Sequence, residues 1–421
     1  MRAGALGDPR FRRLLAGQGL SSFGDSALYL TLGIWAKSLT GSNAAAGGVF
    51  LAITVPFAFA PLAGHLADRV RRKPLLIATN AVTAVIVLAL LAVRSREQLW
   101  IIYLVAFCYG ASWSILSAAG AGLRKDMLSG SDLASANAAL SSMSQGVRVL
   151  SPLVGAGIFT AVGGAWVAVL DTATFGAAIA ALISIRVPES PPGEARGSFW
   201  RDLSAGYRHI RAVPLLAQLV LVGAVAFSVI GLNETIIFAV IGQGLHRPPT
   251  FFGVLTSTQG AASIVAGLTA VLLLRLAGAA RAGGIALACF AVSSLCYRTS
   301  SMALVVAGTV ADGFGVVWLA TSLNTAAQRC TPPRLQGRVD AAVDMFLLTP
   351  QTASIAAGAA LISVVSYRVM LLVVAFVIGA CALFLIIRSA AEAQDPQPPE
   401  AHPRFHAAIG RNTLVKTRET C

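Results

Sequence analysis

The sequence predicts an all-α membrane protein: twelve transmembrane helices in two six-helix, pseudo-symmetric halves. Three observations lead there. The 421 residues are 56% hydrophobic and only 12% charged, which is more apolar surface than a water-soluble domain can hide. The apolar residues come in runs of about twenty, the length that crosses a bilayer core as a helix. The second half of the chain also repeats landmarks of the first at an offset of 203 residues: Gly64 with Gly267, and residues 133–139 with 336–342. Two bundles related by an axis along the membrane normal produce such a repeat.

Taken in order, Arg2, Arg10, Arg12 and Arg13 precede a first apolar run over 14–39. It is long, lacks a clear cleavage site and contains Asp25, so it reads as an uncleaved first span. Spans two to six are expected near 46–67, 74–93, 99–123, 133–162 and 165–187. A Pro- and Glu-containing break follows at 188–194, then a charged, helical stretch over 199–211. Spans seven to twelve are expected near 215–245, 250–276, 282–297, 303–327, 339–365 and 369–387. The resulting organisation is a first half over 1–188, a central loop over 189–213, a second half over 214–389 and a polar, Pro-rich, disordered tail over 390–421.

Basic residues give the orientation. With the amino terminus inside, 25 of the 32 Lys and Arg fall in inner segments, six in outer loops, and Arg148 lies within a span. Short loops rich in Lys and Arg resist translocation, so both ends are expected in the cytoplasm of a cell that carries the protein in its inner membrane. The formal net charge of +14 is accounted for by one bilayer face and its anionic lipid, with no nucleic acid partner. The six cysteines form no Cys-x-x-Cys pair and the histidines are scattered, so free thiols are expected, and neither a metal nor a cofactor.

The densest cluster of charge is the loop between spans two and three, Gly64-His65-Leu66-Ala67-Asp68-Arg69-Val70-Arg71-Arg72-Lys73. It resembles the loop between helices 2 and 3 of major facilitator superfamily transporters, G-x-L-A-D-R-x-G-R-K-x-x-L, with Arg71 in place of the second glycine. Residues 21–25, 136–138 and 170–175 resemble the three-part signature of bacterial drug and siderophore exporters, the macrolide-efflux and enterobactin-exporter type. Ser151-Pro152-Leu153-Val154-Gly155-Ala156 in the fifth span is similar to the drug:proton antiporter motif G-P-x-x-G-G, with Ser151 and Ala156 as departures. The similarity runs from Arg10 to Arg388.

The resemblance implies alternating access by rocking of the halves, with a cytoplasmic gate. Asp68 is expected against the start of the eleventh span, near Arg338 and Asp340, where unpaired helix N–H groups favour a carboxylate. Gly64, Arg69, Arg72 and Lys73 belong to that gate, and Ser151, Pro152 and Gly155 to the bending of the fifth span. Many proton-driven exporters of this type carry an arginine within the fourth span. Here that span is uncharged until Arg124.

Ionisable groups within the spans are costly, about 2.5–3.5 kcal/mol each at the centre, so they face a cavity or a partner. Asp25 in the first span is expected to pair with Arg148 in the fifth, as a coupling or a structural pair. Asp171 and Glu234 fall in the outer thirds of spans six and seven, as snorkelling, packing or functional carboxylates. Asn233 and Glu234 together suit a polar or cationic substrate. Asp312 lies mid-span in the tenth. Trp113 and Trp318 occupy comparable places in spans four and ten, flanking a cavity or packing against lipid.

The expected function is therefore proton-coupled efflux of small amphipathic molecules by a monomer. A nutrient-uptake permease and a non-transporting membrane sensor or scaffold remain alternatives on the same fold. An enzyme is not expected, because no loop or span offers a nucleophile with a base or a metal-ligand set.

Overall fold

The computed structural model describes residues 5–128, 130–189, 199–332 and 335–394; the tail expected to be disordered from 390 continues the last helix to Gln394, and its remainder lies outside these residues, as does most of the 188–194 break. The chain opens with α1 (Pro9–Thr40). Asp8 caps it by accepting from the Arg10 N–H at 2.7 Å, and Pro9 needs no donor there. The Arg10 guanidinium beside Asp8 holds its carboxyl below the usual carboxylate range. Gly41, at φ 70°, ends the helix in a left-handed turn.

The second rod comes in two pieces, α2 (Asn43–Thr54) and α3 (Ala60–Arg69), joined by a 3-10 turn over Val55–Phe59. Pro56 and Pro61 cannot donate to the preceding turn, which is why this rod does not run straight through. Next come α4 (Arg72–Leu88), α5 (Leu99–Met127), α6 (Gly130–Val162) and α7 (Gly164–Ser184). The amphipathic α8 (Phe199–Ala212) crosses to the second half.

There the seventh rod is also interrupted: α9 (Pro214–Ile230) and α10 (Asn233–Ala239) are separated at Gly231-Leu232. Spans eight and nine form one long element, α11 (Phe251–Tyr297), bent at Gly278 with φ 72° and ψ 169°. The loop expected between them is thus a one-residue joint, which glycine alone enters without a steric penalty. The remaining helices are α12 (Met302–Cys330), α13 (Gln336–Leu361) and α14 (Tyr367–Gln394).

Among the described residues, eight helical segments are long and apolar enough to cross a membrane, and Phe251–Tyr297 supplies two spans. With α1, α2–α3 and α13 the described residues make twelve rods. Large side chains such as Leu268, Leu276, Val364 and Phe376 are between 77% and 80% exposed, as suits a surface solvated by lipid. Cys108, Cys289, Cys296 and Cys381 are free thiols, as expected; Cys330 is not.

The first half has two separate apolar clusters. One gathers Leu28, Val49, Ile102, Val105 and Phe175; the other, toward the face that carries the amino terminus, gathers Phe11, Leu76, Leu123, Leu182 and Ile185. Between them lies a polar layer. The second half has one continuous core, which extends onto Leu30, Ile34, Phe50 and Ala156 of the first.

The two halves meet along two seams. α6 is held on one side by α1: Ser151 Oγ donates to the Phe23 carbonyl at 2.6 Å, and a Cβ on Gly155 would stand 2.9 Å from the Ala27 carbonyl oxygen. On its other side α6 meets α11, where Gly260 approaches the Arg148 carbonyl and Gly253 the Pro152 carbonyl. Pro152 explains the first of these. It lacks the N–H that would bond to the Arg148 carbonyl four residues back, so that oxygen is left for the neighbouring helix. The second seam is α2 against α10 and α13.

Candidate functional site

Two cavities within the bundle are lined by ionisable side chains among the described residues. The larger, of about 530 Å³, lies between the halves. Tyr29 and Arg148 reach it from the first half, and Asn233, Glu234, Gln259, Asp312 and Asp344 from the second. Phe227, Phe252, Phe290 and Tyr297 supply aromatic wall. Asn233 and Glu234 open α10 directly after the Gly231-Leu232 turn and line this site. Gln259 donates to Asp312 Oδ2 across α11 and α12. Asn233 Oδ1 is buried with no hydrogen-bond partner among the described residues. Three carboxylates therefore face one guanidinium in an aromatic chamber.

Toward the face opposite the termini, four rings close this chamber. Tyr29 and Phe50 stand 5.1 Å apart, Phe50 and Phe238 6.2 Å, Phe50 and Phe252 6.2 Å, and Phe238 and Phe252 5.1 Å. They come from α1, α2, α10 and α11, so the plug joins both halves. Beside it Gly47 is packed directly on Thr235 of α10.

The smaller cavity, of about 280 Å³, lies inside the first half. Gln18, Ser21, Ser22 and Asp25 line it from α1, Asn80 from α4, and Trp113, Ser117 and Arg124 from α5. Tyr109 donates to Asp25 Oδ1 at 2.6 Å, and Ser21 Oγ lies 3.5 Å from Oδ2. Asp171 is fully buried where α7 crosses α1 at Gly24, one residue from Asp25. Its Oδ1 is 3.5 Å from Thr174 Oγ1, and its Oδ2 has no hydrogen-bond partner among the described residues.

A model of the Major Facilitator Superfamily matches residues 14–237, more than half of the chain. The chain belongs to the major facilitator superfamily. Its members are membrane transporters, so this is an integral multi-pass membrane protein of a transport family. No curated protein matches the sequence. Among solved structures, the nucleoside transporter NupG is similar at a TM-score of 0.68 and 13% identity, over 92% of this chain and all (100%) of that one. A bacterial homologue of the iron transporter ferroportin, in an inward-facing state, matches at 0.68 and 14%, over 92% and 99%. A POT family transporter in complex with a thioalcohol-conjugated peptide matches at 0.71 and 11%, over 90% and 96%. At these identities the likeness establishes the fold and leaves the cargo open.

On that superfamily fold, the expected residues divide between several places. The Asp25–Arg148 ion pair is not formed: Asp25 lines the small cavity and Arg148 the large one. α6 directs Arg148 into the chamber it shares with Tyr29 of α1 and Gln259 of α11, while Ser151 and Gly155 make its packing contact with α1. Asp171 is no snorkelling group but a buried neighbour of Asp25. Trp113 lines the small cavity, whereas Trp318 lines neither; its Nε1 donates to the Ala266 carbonyl at 3.1 Å and clamps α12 to α11.

The charged loop is bound within its own half. Arg72 pairs with Asp126 at 2.5 Å, Lys73 Nζ donates to the Ile185 carbonyl at 2.6 Å, and the Lys73 N–H to Glu189 at 3.1 Å. Arg69 is exposed, Gly64 has open space around it, and Arg338 and Asp340 open α13 on an exposed face. The side chain of Asp68 lies outside the described residues.

Asp126 is only 6% exposed in this pair and Arg72 24%, so removing one partner weakens the compensation of a partly buried charge. Asp126→Asn and Arg72→Gln should each lower the melting temperature of the purified protein. A double-mutant cycle should return a coupling of about 1–3 kcal/mol, between the surface and buried limits. Strictly additive effects would show that the pair holds nothing together.

Sequence reasoning missed the plug of Phe50, Phe238 and Phe252, and the partner Tyr109. Each sits in an apolar run as one aromatic among many, and only the meeting of four helices distinguishes them.

Proposed function

We propose that the protein exports small amphipathic molecules, cationic or neutral, in exchange for protons, by rocking the two halves about the α6–α11 and α2–α10–α13 seams. The observation that carries the cargo class is the large cavity, with Glu234, Asp312 and Asp344 against Arg148 alone and aromatic walls around them. A cation entering such a site meets opposite charge and ring faces. An anion meets repulsion with one guanidinium to offset it. The fit to small molecules is also one of size, since 530 Å³ is within the range of about 300–1,000 Å³ common for ligand pockets.

Asp25 and Asp171 are the coupling groups of this reading, because no cation pairs with either among the described residues. Binding a proton can bias the halves only if the proton is held differently in the two states. The aromatic plug is the gate on one face. Asp68, Arg69, Arg338 and Asp340 form the gate on the other, which carries the basic residues and faces the cytoplasm from the inner membrane. The transporter works as a monomer surrounded by lipid.

The test is Glu234→Gln in a pump-deficient bacterial host challenged with a matched cationic and neutral series. Export of the cationic members should fall by about 10–100-fold, the equivalent of one lost charge interaction at about 1.4–2.7 kcal/mol, and that of the neutral members much less. Equal loss for both reduces Glu234 to a structural or coupling residue. Preferred export of a carboxylate compound overturns the charge argument.

A further inference from the structure

The small cavity of the first half shares no lining residue with the large one. Its polar residues on α1 are Gln18, Ser21, Ser22 and Asp25, spaced at helical intervals along one face. Ser117 and Arg124 of α5 and Asn80 of α4 stand opposite. Two of the lining groups bear buried atoms with no hydrogen-bond partner among the described residues: Gln18 Oε1, an acceptor, and Arg124 Nε, a donor. Buried polar atoms of this kind are normally satisfied by water. The end of the cavity nearer the opposite face is Asp25, held by Tyr109 and Ser21, with the unpartnered Oδ2 of Asp171 beyond it.

Resting on the proton-exchange reading above, we propose that this cavity is a separate, water-filled proton entry, reached from the amino-terminal face past the apolar cluster of Leu14, Leu76 and Leu182, that loads the Asp25–Asp171 pair without passing through the cargo cavity. A hydronium at the Gln18–Ser117 level gives its proton to a carboxylate oxygen and leaves as water. The groups that line the cavity or touch the pair are known from each surrounding helix. α5 supplies Tyr109 and Arg124, α7 supplies Asp171 itself, α4 supplies Asn80, α6 supplies Met143 and Ser144, and α2 carries no titratable residue. A buried carboxylate needs a counter-charge or a proton, and the Arg124 guanidinium lies at the far, amino-terminal end of the cavity. Separate routes let cargo and proton occupy the protein at the same time, with the halves responding to both.

Proton access can be read without knowing the cargo, by infrared spectroscopy of the full-length protein in lipid vesicles. The carboxylic C=O band of a protonated Asp should titrate with pH and shift on transfer to deuterated water. It should be lost or displaced in Asp25→Asn and in Asp171→Asn, and persist in Glu234→Gln. Ser117→Phe, which fills the small cavity, should slow the hydrogen–deuterium exchange of that band at least about tenfold, and Thr256→Phe, which fills the large one, by less than about twofold. Asn80→Leu provides a second plug should Ser117→Phe disturb folding. Slowing by Thr256→Phe alone, or by both plugs alike, overturns the separate entry. So does a band that belongs to Glu234, or one that sodium ions abolish at fixed pH. None of these outcomes depends on cargo export, so the drug assay with Glu234→Gln fails or succeeds independently.

Discussion

Asp25→Asn uncouples transport from the proton gradient. The asparagine oxygen still accepts from Tyr109 Oη, the bond that now measures 2.6 Å, so the packing of α1 against α5 survives while the proton-binding oxygen is gone. In vesicles reconstituted with a known exported compound, gradient-driven accumulation should fall roughly 5–150-fold, the range of a typical coupling free energy between sites. Exchange of labelled for unlabelled compound at equal concentrations should continue, since rocking with cargo bound needs no proton change. An unchanged melting temperature separates uncoupling from misfolding. Full retention of gradient dependence would remove Asp25 from the coupling role and leave Asp171, or a carboxylate of the large cavity, to carry it.

Gly47→Leu jams the gate opposite the termini. A Cβ at this position would lie 2.8 Å from Thr235 Cγ2 and 2.9 Å from its Cβ, closer than any unstrained contact, and leucine adds three more carbons. Thr235 is fully buried, so it has no free space to move into. Overpacking of this kind costs about 1–3 kcal/mol, and it falls on the state in which α2 meets α10. Transport should drop by about 5–150-fold as the closed plug loses population. Thr235→Gly in the same chain should restore much of it by clearing the space, giving a coupling of about 0.5–3 kcal/mol between the two positions. If the second substitution restores nothing, the contact is incidental to gating.

Much of the architecture was legible before any coordinates. Twelve spans, their order, the charged loop after the second and the charged helical stretch of α8 follow from runs of apolar residues and the places where charge interrupts them. The joint at Gly278 was expected as a loop between Leu276 and Ala282, and turned out to need a single residue. The importance of Pro152 was also legible, because a missing N–H is a property of the residue itself. Its consequence, a carbonyl left for Gly260 of α11, was not, since that needs positions 148 and 260, on two helices far apart in sequence, to touch.

The site was legible as a set of residue types and illegible as a set of partners. Asp25, Asp171, Glu234 and Asp312 stand out in sequence because charge in an apolar span is expensive. Arg148 looked like the counter-ion of Asp25 by its depth in the membrane, yet it faces the second half and lines the chamber of Glu234 and Asp312. Depth along a span is fixed by counting residues, whereas direction depends on the rotation of each helix about its axis. Each residue turns the side chain by about 100°, and spans apolar on nearly every side carry no pattern that orients them. What this sequence determined by itself was therefore the number, length and order of its helices and the family to which they belong. Only packing at Gly24, Gly47, Gly155 and Gly260, where backbones come close enough to set those rotations, decided that Asp25 lines one cavity while Glu234 and Asp312 line another.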